Sequence, residues 1–128
     1  MTTVAILFVM LLLHIIDDFV LQPVCLSKLK QREFWKRNTN KEDYNKLYKY
    51  DYVAALVIHG LSWSIMIHLP FLLIGHYHSA LVGCFIICQC ILHSYIDNEK
   101  ANKKKINLID DQIMHFAQIV ISWSLLTL

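Results

Sequence analysis

At 128 residues, with 56% hydrophobic residues, three Gly and two Pro, the chain has room for one domain and is too apolar for an ordinary soluble one. Its composition is that of a small integral membrane protein. A formal net charge of +2 excludes a strongly polyanionic or polycationic molecule, so where the charges sit carries more than their sum.

The first apolar segment runs from about Thr3 to Gln22, the length of a membrane-crossing helix. A secretory leader is the competing reading of such a start. The stretch lacks a basic flank and a small-residue cleavage site, and it carries His14 and Asp18 within its apolar run, so a retained membrane helix is expected. His14 and Asp18 are one helical turn apart, and Gln22 continues their row. Ionisable groups at such depth are costly enough to suggest function.

Pro23 suits a helix boundary and opens a polar, basic stretch, read as a cytoplasmic loop over 23–51. Its aromatics (Phe34, Trp35, Tyr44, Tyr48, Tyr50, with Tyr52 following) are interleaved with Lys and Arg, as suits a bilayer surface with anionic lipid headgroups. Basic loops beside membrane helices ordinarily serve topology, so no nucleic-acid partner is expected.

Three more apolar segments follow, at about 52–75, 79–97 and 108–128, with a second basic loop at 98–107. Every Lys and Arg falls in the stretches 28–49 and 100–105, and the connection at Gly75–His78 has none. The positive-inside rule then puts both basic loops in the cytoplasm and both termini outside. The expected fold is all-α: a single domain over 1–128, an integral membrane four-helix bundle, N-out and C-out, multi-pass in the inner (cytoplasmic) membrane. No repeat of solenoid type is present. Cys84, Cys88 and Cys90 lie in one apolar run where thiols act as small hydrophobes, and no disulfide is predicted.

The third segment repeats the polar spacing as Gln89, His93 and Asp97, the fourth carries Asp111, Gln112 and His115, and the second contributes His59. Counted from the cytoplasmic ends, His14, His59, His93 and His115 each lie roughly 9 to 13 Å deep. Asp18, Asp97 and Asp111 lie one turn nearer the cytoplasm. Neutral imidazole and ionised carboxylate are the usual nitrogen and oxygen ligands of divalent transition metals. His14, Asp18, His59, His93, Asp97, Asp111 and His115 are therefore the candidate ligands of one or two divalent ions, zinc first, manganese or iron next. Asp18, Asp97 or Asp111 could instead act as a general base, and Gln22 or Gln112 could position water or substrate, with Gln89 in support.

The bland alternative is interhelical hydrogen bonding, worth about 0.6 kcal/mol per contact on average in membranes. Three His–Asp pairs at one depth make it the weaker account. The expected function is a metal-dependent hydrolase acting on an ester or phosphoester of a lipid or lipid-linked substrate at the cytoplasmic face. Proton or metal-ion transport through the same groups, in a homo-oligomer, and a non-enzymatic accessory role at a host complex stay open. Lesser features are Asp17, Asp51 and Asp110, beside the polar set and second choices to it, with Asp51 and Asp110 near helix N-termini as capping charges; Trp63 and Trp123 are expected as packing residues, and His68, His76 and His78 as interfacial or solvated histidines. Lys28 and Lys100 sit where two helices leave the membrane and are read first as topology charges, with an anionic headgroup or phosphate as the alternative role.

The ordered set His14-x3-Asp18-Phe-x-Leu-Gln22, Lys28, His59, His93-x3-Asp97-x2-Lys100 and Asp111-Gln112-x2-His115 resembles the pattern of domain-of-unknown-function family 3307, over about residues 10 to 118. The resemblance implies a small membrane protein of bacteria and their phages and adds weight to those positions. It implies no activity, and the metal reading comes from residue chemistry alone. The polar run Arg37-Asn-Thr-Asn-Lys41 makes the first basic loop longer than such a family leads one to expect.

Overall fold

The computed structural model describes residues 2–74 and 79–128, and these are helical with no strand. The expected outer connection Gly75–His78, with His76 and His78, lies outside the described residues. Helix α1 (Thr3–Ile15) opens with Thr2 Oγ1 accepting from Ala5 N at 3.3 Å, and it continues without a break into a π-helical turn, Ile16–Leu21. The widened turn is closed by Gln22 N donating to Asp17 O at 2.9 Å, a five-residue step in place of four. Such turns gather at functional sites, and here the turn holds Asp17 and Asp18.

The stretch expected as a loop over 23–51 is largely helical: α2 (Val24–Leu29), α3 (Arg32–Asn38) and α4 (Lys41–Asp43), the last running into π-helical Tyr44–Tyr48. Specific contacts hold it to the rest of the chain. Trp35 stacks on Tyr48 with centroids 5.6 Å apart and donates to Leu29 O, and Arg32 donates to Tyr52 Oη at 2.5 Å. Asn102 accepts from Arg32 N and donates to Lys30 O, which ties this segment to the second basic loop.

The long helices α5 (Asp51–Ile74), α6 (Ser79–Ala101) and α7 (Leu108–Thr127) follow the expected segments closely. Helix α6 runs four residues past Asp97, shortening the second basic loop and bringing Lys100 onto the helix. Lys104 then turns the chain with φ 54°, in the left-handed region that favours glycine. Asn107 and Asp110 form a reciprocal capping box that starts α7.

Helix α1 packs on α5 and α7, and α6 packs on the same two helices. Gly60 is where α5 and α6 approach most demandingly. A Cβ there would overlap Ser94 Oγ and lie 2.9 Å from Cys90 O, so only hydrogen fits. Ile6, Met10, Trp63, Ile67, Phe71, Val82, Ile119 and Leu126 form the buried core. His68 belongs to this interior: expected as an interfacial or solvated histidine, it is fully buried, with Nδ1 against Ser64 O at 2.8 Å. The cause is its neighbours, since its ring lies among Phe71 and Phe85.

Much of the outer surface is apolar, including Val4, Phe8, Leu12, Ile58, Leu73, Ile87 and Ile121, which soluble proteins rarely expose contiguously. Thr3–Leu21, Asp51–Ile74 and Ser79–Ala101 are long and apolar enough to cross a membrane. Helix α7 falls short on composition because Asp110, Asp111, Gln112, His115 and Gln118 lie in it.

Candidate functional site

The short α5–α6 distance enforced by Gly60 brings its neighbour His59 against His93, with ring centroids 5.0 Å apart. His93 in turn stacks on Trp63 at 4.3 Å and on His115 at 4.2 Å. His14 completes the group edge-on to Trp63 and His115, each at 5.8 Å. All four imidazoles are buried in one cluster, although they come from four helices.

The carboxylates close around them. Asp18 faces His59 Nε2 at 3.3 Å and His14 Nδ1 at 3.6 Å, and Asp17 faces the other nitrogen of His59 at 3.7 Å. Asp97 lies 3.7 Å from His59 Nε2, 3.8 Å from His93 Nε2 and 3.7 Å from His115 Nε2, while Asp111 is 3.4 Å from His115 Nε2. The separations of 3.6 Å and more are too long for hydrogen bonds, the two shorter ones leave Asp18 Oδ1, Asp111 Oδ1 and His115 Nε2 without hydrogen-bond geometry, and all are short enough to share a small cation.

Two donor chains decide the roles of individual nitrogens. An indole N–H only donates, so Trp63 Nε1, 2.8 Å from His14 Nδ1, makes that nitrogen the acceptor. His14 Nε2–H therefore donates to Gln112 Oε1 at 3.1 Å, and the Gln112 amide donates to Asp111 Oδ2 at 3.2 Å and Asp18 Oδ2 at 3.5 Å. Both nitrogens of His14 are engaged. Deeper in, Gln89 Nε2 donates to Ser122 Oγ at 2.8 Å, and Gln118 Nε2 donates to Gln89 Oε1 at 2.7 Å. Gln118 Oε1 is left to accept from His115 Nδ1–H at 3.1 Å, which points His115 Nε2 toward Asp97 and Asp111.

What remains is a set of buried atoms with no hydrogen-bond partner: Asp17 Oδ2, Asp18 Oδ1, both nitrogens of His93, Asp111 Oδ1 and His115 Nε2. Unpaired buried polar groups are rare and cost about 1–3 kcal/mol each, so a cation or a bound water would be stabilising at such a concentration. Two sets of three offer ligand atoms within 4.8 Å of one another, Asp18–His59–His93 and His93–Asp97–His115. They share His93, which is held by its stacked faces and leaves both ring edges free.

Two lysines stand at the rim. Lys30, buried, donates to Asp97 Oδ2 at 2.5 Å and Gln22 Oε1 at 3.2 Å, and Lys100 donates to Asp111 Oδ2 at 2.5 Å. Beside them a cavity of about 370 Å³, lined by Asp18, Asp97, Asp111, Gln22 and Gln112 among others, opens at the basic end of the helices.

The candidate residues His14, Asp18, His59, His93, Asp97, Asp111, His115, Gln22 and Gln112 thus come together, with Gln89 one layer deeper. Asp17, Trp63, Gln118 and Lys30 join them. Trp63 carried a signal, one turn after His59, and Gln118 another, three residues after His115. Asp17 was legible only as a neighbour of Asp18, and it is set inward by the π-helical turn and its bond from Ser62 Oγ at 2.8 Å; Lys30 carried no signal, since it looks like its neighbours in a basic run. Lys28 is exposed and lines a separate basic cleft, so Lys30 takes the inward position.

Residues 6–128 match a family model described as "Protein of unknown function (DUF3307)". No curated protein and no solved structure matches the chain.

Proposed function

The chain belongs to this family over residues 6–128, and we propose that it is a four-helix membrane protein that binds a divalent metal ion near its cytoplasmic face and hydrolyses an ester or phosphoester of a lipid or lipid-linked substrate there. A fourth crossing by α7 is supported by its two-sidedness. Asp111, His115, Gln118 and Ser122 are buried, while Ile109, Ile113, Val120, Ile121 and Leu125 are exposed and apolar. A mean over the helix hides that division. The one-sided Lys and Arg distribution supports N-out and C-out, with the lysine-rimmed mouth in the cytoplasm.

The observation that carries the metal reading is the convergence of unpartnered buried ligand atoms from four helices. Charge supports it. With carboxylates ionised and imidazoles neutral, Asp17, Asp18, Asp97 and Asp111 face Lys30 and Lys100, an excess of two negative charges that one divalent ion offsets. His59, His93, His115, Asp18 and Asp97 are the ligands of choice, with zinc the best match to this donor set and manganese or iron able to replace it. Bound there, the ion would supply Lewis acidity to a water or a substrate oxygen.

The chain's own residues do the rest. Asp111, with Oδ2 fixed by Lys100 and Gln112 and Oδ1 free, is positioned to take a proton from water. His14 acts through Gln112, orienting Asp18 and Asp111, and Gln118 holds the tautomer of His115. Elemental analysis of purified protein washed free of loosely held ions tests the reading. Near-stoichiometric metal, lost in His93→Ala, is expected, and its absence from the wild-type protein would sink it.

Ion passage is the second reading, favoured by one observation, the buried and unpartnered His68 Nε2 further along α5. Against it, Trp63, Ile67, Phe71, Val82 and Ile119 fill the interior there with apolar side chains. Liposome flux under an ion gradient separates the two, since a hydrolase gives none.

A further inference from the structure

We infer that the substrate is the phosphate ester of a lipid, its phosphate held between Lys30 and Lys100 and its acyl chains laid along Phe19 and Leu108. This rests on the metal-dependent reading above and narrows it from esters in general to one anionic class. The cavity of about 370 Å³ beside the His–Asp cluster has the three carboxylates as its floor and Lys30, Lys100 and Lys104 in its walls. An ammonium has three N–H donors. Lys30 uses two, on Asp97 and Gln22, and Lys100 uses one, on Asp111. The remaining donors suit the several acceptor oxygens of a phosphate, whereas an uncharged carboxylic ester would leave them unmatched.

Lys104 adds a second observation. Its φ of 54° marks a position where glycine is favoured, yet the residue there is a third ammonium at the cavity wall. At the bilayer side the lining becomes apolar. Phe19, on the π-helical turn, and Leu108, on the first turn of α7, are 58% and 55% exposed. A soluble phosphate ester would gain nothing from these side chains, whereas an acyl chain can pass over them into the lipid.

The site couples cation and anion. Without the cation the excess negative charge repels a phosphate, and with it the lysines prevail. In the reaction the water oxygen joins phosphorus and the ester P–O bond breaks. The water's proton passes by way of Asp111 to the leaving oxygen, giving the lipid alcohol and inorganic phosphate.

The test is equilibrium binding to the full chain in nanodiscs, with and without zinc, using dioleoyl phosphatidic acid in its non-hydrolysable phosphonate form, dioleoylglycerol and inorganic phosphate as probes. Zinc-loaded protein is expected to hold phosphatidic acid at least about tenfold tighter than dioleoylglycerol, with Lys100→Gln removing roughly that factor at unchanged metal content. Lys104→Gly, which suits the local backbone, is expected to weaken phosphatidic acid binding in the same direction and guards against misfolding of the first variant. Equal affinity for the two lipids, or affinity indifferent to both lysine variants, overturns the proposal. So does inorganic phosphate binding as tightly as phosphatidic acid, which would point to a soluble substrate. Full metal content without phosphate preference overturns this inference alone, whereas absence of metal overturns the reading beneath it.

Discussion

Trp63 and His14, on different helices, meet in a single hydrogen bond of 2.8 Å from indole N–H to imidazole Nδ1. Because indole cannot accept, this contact dictates where the proton of His14 sits, and through Gln112 it reaches Asp18 and Asp111. Replacing Trp63 with Phe keeps a ring against His93 and removes only the donor and part of the bulk. The expected loss is about 1–3 kcal/mol in thermal or denaturant unfolding, together with weaker metal binding. Unchanged metal affinity in Trp63→Phe would show that the tautomer of His14 does not matter to the cluster.

The Lys30–Asp97 pair is buried, and Lys30→Met leaves Asp97 without its ammonium. Breaking such a pair costs about 3–5 kcal/mol, much of it for the charge left behind. A divalent ion beside Asp97 would offset the same charge, so the variant is expected to be strongly destabilised in chelator and partly restored by zinc. Unfolding midpoints of both proteins under both conditions give the comparison, and a loss of equal size with and without metal would argue against an ion at Asp97.

Gly60 admits no side chain, because Cys90 O and Ser94 Oγ occupy the space a Cβ would need. Gly60→Ala is expected to push α5 from α6, with a stability cost of about 1–3 kcal/mol typical of overpacking. Separation of His59 from His93 should also lower metal content at fixed protein concentration, read by elemental analysis of the folded fraction.

Gln118 touches no candidate ligand atom that faces the carboxylates, yet it accepts from His115 Nδ1. Gln118→Leu is expected to reduce metal affinity about 10- to 100-fold through the orientation of His115, as loss of a supporting hydrogen bond commonly does. Gln118→Glu, which keeps the acceptor, should retain most of the affinity in the same titration. Equal losses in both would assign Gln118 a purely structural role.

Chelator alone should also act on the wild-type protein. If the unpartnered atoms around His93 hold an ion, its removal is expected to lower unfolding stability by about 2.7 kcal/mol relative to protein at a metal concentration one hundred times Kd. Midpoints indifferent to chelator and to added zinc would mean that the cluster tolerates its unpaired groups without a cation.

The four long helices and the face each turns inward were legible in the sequence, because they follow from local quantities: apolar run length, a rise of about 1.5 Å per residue, and the one-turn spacing of His14 with Asp18, His93 with Asp97 and Asp111 with His115, whereas the short helices within 24–48 and the burial of His68 were not. The one-sided placement of Lys and Arg was equally plain. Tertiary packing alone decided how closely the helices approach. Gly60 set the distance that joins His59 to His93, the π-helical turn brought Asp17 inward with Asp18, and contacts spanning most of the chain chose Lys30 over Lys28. Which histidine is bonded at both nitrogens and which keeps both edges free is likewise decided between helices. His14 and His93 have the same relation to an Asp one turn on, and Trp63, donating to one and stacking on the other, together with Gln112, which bonds His14, gives them different chemistry.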